Sequence, residues 1–375
     1  NHGVHLEVDN LPLDDAETYK LFGRGDTTGV FQFESTGMKS YLTQLKPDKI
    51  DDIIALNALY RPGPMKYIPN YVDRKNEKEP VTYDDNKMEP ALEETYGIIT
   101  YQEQVQRLCR DLAGFTLAKA DGIRKAMGKK LADVMEKYRQ EFLDGCLEND
   151  IQKQVAERIW GDIEVFSGYG FNKAHSSGYS MVAYQCAYCK AHYPAEFMAA
   201  NLNSEIGDID RLVVLIDECL RMGLEVLPPD VNESGVDFCA VRSGNSPANG
   251  SPNGHSRIDA VRMGMAAVRN VGRGAVEAIV AAREEDGRFE SLFELCEQID
   301  LRSVNRRAIE SLVCAGALDT LGGTRSQLLE SLDRAMEMAQ TAQADRAKGQ
   351  FSLFGGEGME EQAALVANTD LPDVA

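Results

Sequence analysis

Apolar side chains recur at helical spacing through most of this chain, and the pattern predicts a mainly α protein. Ile151, Val155, Ile159 and Phe166 mark one amphipathic helix, and a second helical run, Ser177 to Ala191, follows a short loop. From Glu89 the pattern is helical, with breaks near Gly97, Gly114, Gly128 and Gly145. It continues through Pro194, which fits a first-turn position, to about Glu205. Residues 1–60 read as shorter, mixed segments. Asp14 or Asp15 is a fair N-cap, Gly29 to Phe33 is a short strand or a tight apolar turn, and Arg61-Pro62-Gly63-Pro64 is a sharp turn. Residues 1–205 are thus expected to form one helical domain.

A second unit is expected over 206–322. Leu212, Val213, Leu215, Ile216, Cys219 and Leu220 predict an amphipathic helix that ends by Leu227-Pro228-Pro229-Asp230. Two strands, near 237–241 and 257–261, read as a small β-hairpin around a Gly/Ser/Asn/Pro-rich insert at 243–256, expected to be disordered. Two helical hairpins follow, the first turning at Val271-Gly272-Arg273-Gly274 and the second at Leu301 to Val304. In helix-hairpin-helix modules such glycine turns let backbone N–H groups grip a DNA phosphate without reading sequence. Residues 323–375 read as a helix and then a polar, flexible linker. Within it Gln350-Phe351-Ser352-Leu353-Phe354 has the look of a peptide that docks into another protein's pocket.

Composition narrows the chemistry. The 375 residues are 43% hydrophobic, enough for more than one core, and no apolar run approaches the roughly 18–20 residues that span a bilayer. Asn1 is not an initiator, so the chain is expected to be an internal piece of something longer. Eight cysteines without a framework suggest a reducing, cytoplasmic setting. A net charge of −20 makes the chain a poor general phosphate binder, so any nucleic-acid contact must come from local patches. One lies at 103–140, where nine Lys/Arg face five Asp/Glu, with Arg124, Lys125, Lys129 and Lys130 close together.

The densest chemistry is at Tyr169-Gly170-Phe171-Asn172-Lys173-Ala174-His175-Ser176. Ser176 is a plausible N-cap for the next helix, and Lys173 would stand just outside the helix N-terminus, where free N–H groups and the macrodipole favour anions. A phosphate-bearing ligand is one reading; a capped helix with solvated polar side chains is the other. Cys186, Cys189 and His192 resemble half of a zinc site, but no second pair completes it and buried thiols are preferred. Asp208-Ile209-Asp210 directly precedes a helix and reads as a cap rather than a two-metal carboxylate pair. No P-loop, His-Glu-x-x-His or Gly-x-Ser-x-Gly is present.

Several of these segments occur together in one known order. Leu59 to Pro64, Tyr96 to Gln104, Arg124 to Lys130, Gly170 to Ser176 and Lys190 to Phe197 resemble signatures of the bacterial replicative DNA polymerases of family C. The resemblance covers nearly everything to about Gly322, from just after that family's palm through its tandem helix-hairpin-helix domain. It implies that 1–205 is a fingers domain closing over an incoming deoxynucleoside triphosphate. Arg61, Gln102, Arg124, Lys125, Asn172, Lys173, His175 and Ser176 are the implied nucleotide or primer-end contacts. Lys129, Lys130, Arg269, Gly272, Arg273 and Gly274 are the implied DNA contacts. Gln350, Ser352, Leu353 and Phe354 resemble the family's peptide for the β sliding clamp, and other holoenzyme subunits are implied partners. The family's catalytic aspartates and their Mg2+ belong to the palm, so this chain is expected to bind but not to polymerise. Two departures stand out: Ala174 where many relatives have Ser, and Phe351 where Leu is commoner. The alternatives are a non-catalytic DNA-binding or replisome scaffold and a fragment of an error-prone family C polymerase. A hairpin-bearing glycosylase or nuclease would need a catalytic Lys or Asp after the hairpin, and Ala275-Val276-Glu277-Ala278 offers none.

Overall fold

The computed structural model describes residues 6–129, 132–167, 170–242 and 259–347. The chain divides into two compact units, Asn1–His192 and Tyr193–Ala375.

The first unit is helical. It contains α1 (Ala16–Arg24), α2 (Thr36–Leu45), α3 (Ile50–Leu59), α4 (Ile68–Lys75), the single turn α5 (Glu89–Leu92), α6 (Gln102–Ala113), α7 (Leu117–Lys129), α8 (Ala132–Glu148), α9 (Lys153–Ser167) and α10 (Lys173–His192). Asp15 caps α1, accepting the Thr18 N–H at 2.8 Å. Gly29 to Phe33 is the tight apolar turn of the two readings, with Val30 and Phe33 fully buried. The buried Lys190 holds that turn by donating to the carbonyls of Asp26 and Thr28 at 2.7 and 2.8 Å.

Two cores organise this unit. One joins α1 to α4 with α10, around Phe22, Phe33, Leu42, Ile53, Tyr71 and Tyr184. The other lies among α6 to α9, around Phe142, Trp160, Leu108 and Ile163. Glycine is required where α8 crosses α6: a Cβ on Gly145 would stand 2.2 Å from the Ala113 carbonyl oxygen. The α3–α10 contact relies on small residues, since Ser176, Ser180, Ala183 and Ala187 are all buried. Ser176 and Ser180 donate to the Ile54 and Ile53 carbonyls at 2.7 and 3.4 Å. At the start of α3 the fully buried Asp52 meets Lys75 Nζ at 3.2 Å, the Tyr71 hydroxyl at 3.3 Å and the Asp48 N–H at 3.2 Å.

The second unit opens with α11 (Pro194–Ser204) and α12 (Ile209–Arg221) beside a small sheet of β1 (Glu225–Leu227), β2 (Cys239–Val241) and β3 (Ala260–Arg262). Its order is β1-β3-β2, parallel for β1–β3 and antiparallel for β2–β3. Pro194 takes its first-turn place and Asp208 caps α12 through the Arg211 N–H at 3.0 Å. The two-stranded hairpin expected from sequence gains a third strand, β1, from the segment read as a helix end. α11 belongs here rather than with the preceding helices: its Asn203 side chain brackets Phe238 at 2.7 and 2.9 Å. The division therefore falls at 192/193, earlier than the 205/206 of the sequence reading. The 243–256 insert lies outside the described residues.

The remainder is α13 (Arg273–Asp286), α14 (Leu292–Gln298), α15 (Arg306–Cys314) and α16 (Arg325–Ala347), sharing one core. Helix α16 is part of that core, not of a linker. Leu328, Leu332, Ala335 and Ala339 are buried in it, and Gln343 donates to the Glu297 and Ile299 carbonyls at 3.0 and 2.8 Å, closing the end of α14. No helix among the described residues is long and apolar enough to cross a membrane.

Candidate nucleotide and nucleic-acid interface

The first residue of α10 is Lys173 itself, and the cap is Asn172, whose Oδ1 accepts the His175 N–H at 2.8 Å. Both expectations for this turn thus need correction. Ser176 is not the N-cap: its hydroxyl donates to the Ile54 carbonyl from a fully buried position and serves the α3–α10 contact. Lys173 stands inside the first turn instead of before it.

The loop before α10 is tied to the start of α6. Tyr101 and Phe171 form an isolated parallel bridge, the Gln102 N–H donates to the Phe171 carbonyl at 2.9 Å, and Gln102 Nε2 donates to the Gly170 carbonyl at 3.1 Å. Gln102 is thereby committed to holding the loop. Glu103, the next residue, accepts the Asn172 amide at 2.6 Å and the Lys173 backbone N–H at 3.0 Å. Glu94 accepts from the Lys173 ammonium at 2.5 Å, and that ammonium lies 5.5 Å from the Tyr101 ring centroid. The anion-favouring end of α10 is occupied by the protein's own carboxylates.

Beside this charged end runs an aromatic ladder. Phe171, His175 and Tyr179, four residues apart, touch in sequence, the first pair edge-on and the second tilted, with centroids 5.4 and 4.3 Å apart, and Phe31 continues the row, tilted, 5.3 Å from Tyr179. Tyr179 is 37% and Phe31 41% exposed. Arg61 closes the other end, its guanidinium 4.1 Å from the Phe171 centroid and its Nε donating to the Ala58 carbonyl at 3.0 Å; burial pushes that guanidinium below its usual value. Arg124 and Lys125, on α7, both pair with Asp121 at 2.8 Å, and their hydrogen bonds, Lys125 first, hold its carboxyl below the usual range. Asp121 also accepts from Gln106 at 3.4 Å, one turn along α6 from Glu103. Lys129 ends α7, and Lys130 lies outside the described residues.

Sequence reasoning missed Glu94, Glu103, Phe31, Phe171 and Tyr179 as members of this site. The spacing Phe171-His175-Tyr179 carries the signal for the ladder; nothing local pairs Glu94 with Lys173, 79 residues away. Cys186 and Cys189 are half-buried, burial raises the Cys189 thiol, and His192 pairs with Asp15 at 3.0 Å. Among the described residues no three His, Cys, Asp or Glu side chains converge to hold a metal ion.

In the second unit, Gly272 caps α13 without a side chain. The N–H groups of Gly272, Arg273 and Gly274 find no acceptor among the described residues, and a Cβ on either glycine would meet nothing within 4 Å. Arg269 is exposed beside them, and Arg273 pairs with Asp237 at 2.7 Å. The second hairpin keeps the helix–turn–helix order with different chemistry. Asn305 caps α15 with its own side chain, accepting the Ala308 N–H at 3.0 Å, and Asp300 sits in the turn, paired with Arg302 at 3.0 Å. The partner of the first hairpin's helix is only a short 3-10 turn, Met265–Ala267. The peptide Gln350, Ser352, Leu353 and Phe354 lies outside the described residues.

Comparison with known proteins draws these features together. The bacterial DNA polymerase III alpha subunit finger domain matches residues 1–150, and a helix-hairpin-helix motif matches residues 223–328. The DNA polymerase III alpha subunit of Haemophilus influenzae is 43% identical over 97% of this chain. Those of Thermus aquaticus and Escherichia coli K12 are each 42% identical, over 99% and 93% of it. The chain belongs to the bacterial DNA polymerase III alpha-subunit family. It spans 31%, 29% and 30% of the length of these three relatives. The finger-domain match stops at residue 150, but α10 completes the α1–α4 core, so the loop at 170–176 and its ladder are built on the same unit.

Proposed function

We propose that this chain is the substrate-handling and DNA-gripping segment of a DNA-directed DNA polymerase in chromosome replication. On this reading the start of α10 takes the triphosphate of an incoming deoxynucleotide, and the duplex behind the primer end rests on the second unit. The observation that carries it is the meeting of Lys173 and Asn172 at a helix N-terminus with the exposed ladder His175–Tyr179–Phe31. Cationic and N–H groups suit phosphate, and ring faces suit a base. Arg61, Arg124 and Lys125 would add charge around the phosphates or the primer end. On this reading a palm outside this chain would carry the catalytic carboxylates that hold Mg2+, and no chemical step is assigned to residues here. A cytoplasmic location follows from the same reading.

The duplex grip rests on the Gly272–Gly274 turn, where open N–H groups and Arg269 suit a phosphate. Gly272→Val in the full-length polymerase is expected to leave folding intact, since its Cβ meets nothing, and to weaken duplex binding several-fold. Wild-type affinity across the salt range would reject the grip.

The third proposed partner is the β sliding clamp, held by Gln350, Ser352, Leu353 and Phe354. Gln350→Ala with Phe354→Ala should lower clamp affinity by at least about tenfold, since anchors in a pocket dominate peptide binding. Surface plasmon resonance on immobilised clamp is the check, and retained affinity would place the contact elsewhere.

A further inference from the structure

Two carboxylates meet the start of α10, and they are engaged differently. Glu103 binds groups that hold the loop in place: the Asn172 amide at 2.6 Å and the Lys173 backbone N–H at 3.0 Å. It is also the second residue of α6, so one carboxylate sits at the N-termini of two helices, where negative charge is favoured. Glu94 touches none of this backbone. It pairs with the Lys173 ammonium at 2.5 Å, and both side chains are about one-third exposed, 36% and 35%. The pair can therefore open into water without unpacking anything, and such half-exposed pairs are weak.

We propose that Glu94 is a placeholder counter-ion, holding the Lys173 ammonium in the nucleotide-free protein and giving it up to the triphosphate. This rests on the reading of Lys173 as a triphosphate ligand. A group that must be released before the ligand binds lowers the apparent affinity by the fraction of time it is engaged. The placeholder also has a use. It keeps Lys173 extended beside the Tyr101 ring, and the more highly charged triphosphate outcompetes a single carboxylate where a less charged anion does so poorly. Glu94 is thus a positioning residue that acts through Lys173 and sets the nucleotide concentration at which the site fills.

The test is single-nucleotide incorporation by the full-length polymerase on a fixed primer-template, with deoxynucleotide as the titrant. Glu94→Gln, nearly isosteric, should lower the KM for deoxynucleotide about two- to fivefold, with the effect on KM and not on the maximal rate. Glu103→Gln, which loosens the loop, should raise KM, so the neighbouring carboxylates give opposite signs. In a Lys173→Ala background Glu94→Gln should have no further effect. An unchanged or raised KM for Glu94→Gln overturns the placeholder while leaving the triphosphate reading standing. So does a lowered KM that persists without Lys173, which would make the effect a general one of charge. If Lys173→Ala alone leaves kcat/KM for deoxynucleotide unchanged, the triphosphate reading falls and the placeholder falls with it.

Discussion

Lys173→Ala in the full-length polymerase is expected to lower kcat/KM for single-nucleotide incorporation on the order of 100-fold. The ammonium is the cation at the start of α10, and there both the macrodipole and the lysine charge, once released by Glu94, favour triphosphate oxygens. Loss of one preorganised donor to a charge that grows in the transition state typically costs that much. The fold should survive. The Lys173 N–H keeps its bond to Glu103, and the ion pair lost with Glu94 is half-exposed and worth less than about 1 kcal/mol. A thermal melt close to wild type, together with the rate loss, separates a ligand role from a structural one.

The largest stability effect is expected at Lys75. Its side chain is 7% exposed and its ammonium lies 2.9 Å from Asp48 and 3.2 Å from Asp52, which is fully buried. Burial raises the Asp52 carboxyl above its usual range, and the Lys75 ammonium only partly pulls it back. Burial likewise lowers Lys75, but Asp48 and Asp52 more than offset it and leave the ammonium raised. Lys75→Met would leave a buried carboxylate facing only the Tyr71 hydroxyl and the Asp48 N–H, at a cost of about 3 kcal/mol near pH 7. The sign of the pH dependence follows. A raised carboxyl binds its proton more tightly folded than unfolded, so stability falls as pH rises from the unfolded value toward the folded one. Without Lys75 that folded value climbs further. The deficit of Lys75→Met should therefore shrink as pH is lowered from 7 toward 5, measured by urea unfolding of both proteins at each pH. A deficit that is constant or grows toward acid would mean that the lost packing of the lysine stem, not the unpaired carboxylate, sets the cost.

What could be read from sequence follows the range of the interactions involved. Caps act over three or four residues, so Asp15, Asp208 and the first-turn Pro194 were legible. Ser176 misled because a Ser-Ser pair before a helical run looks like a cap, while Asn172, with the same chemistry four residues earlier, has it. β1 was missed because three residues before two prolines show no alternation and read as a stop. The docking of α16 was present in the spacing of Leu328, Leu332, Ala335 and Ala339, but the polar, alanine-rich surroundings masked it. The candidate site was legible in its cations and invisible in their partners. Glu94 and Glu103 reach Lys173 from 79 and 70 residues away, and no local pattern encodes that. The two hairpins differ in both halves: a 3-10 turn stands before α13 where α14 stands before α15, and the second turn carries Asp300 and the capping Asn305 where the first has open backbone.

Binding of the triphosphate at the start of α10 shows itself in the nucleotide dependence of incorporation. Its most direct test is the deoxynucleotide dependence of single-turnover incorporation, comparing wild type and Lys173→Ala on one primer-template at saturating DNA. The half-saturating nucleotide concentration is expected to be at least about tenfold higher in the variant, with primer-template affinity unchanged. Superimposable nucleotide curves, or a loss that appears only in DNA affinity, would contradict it.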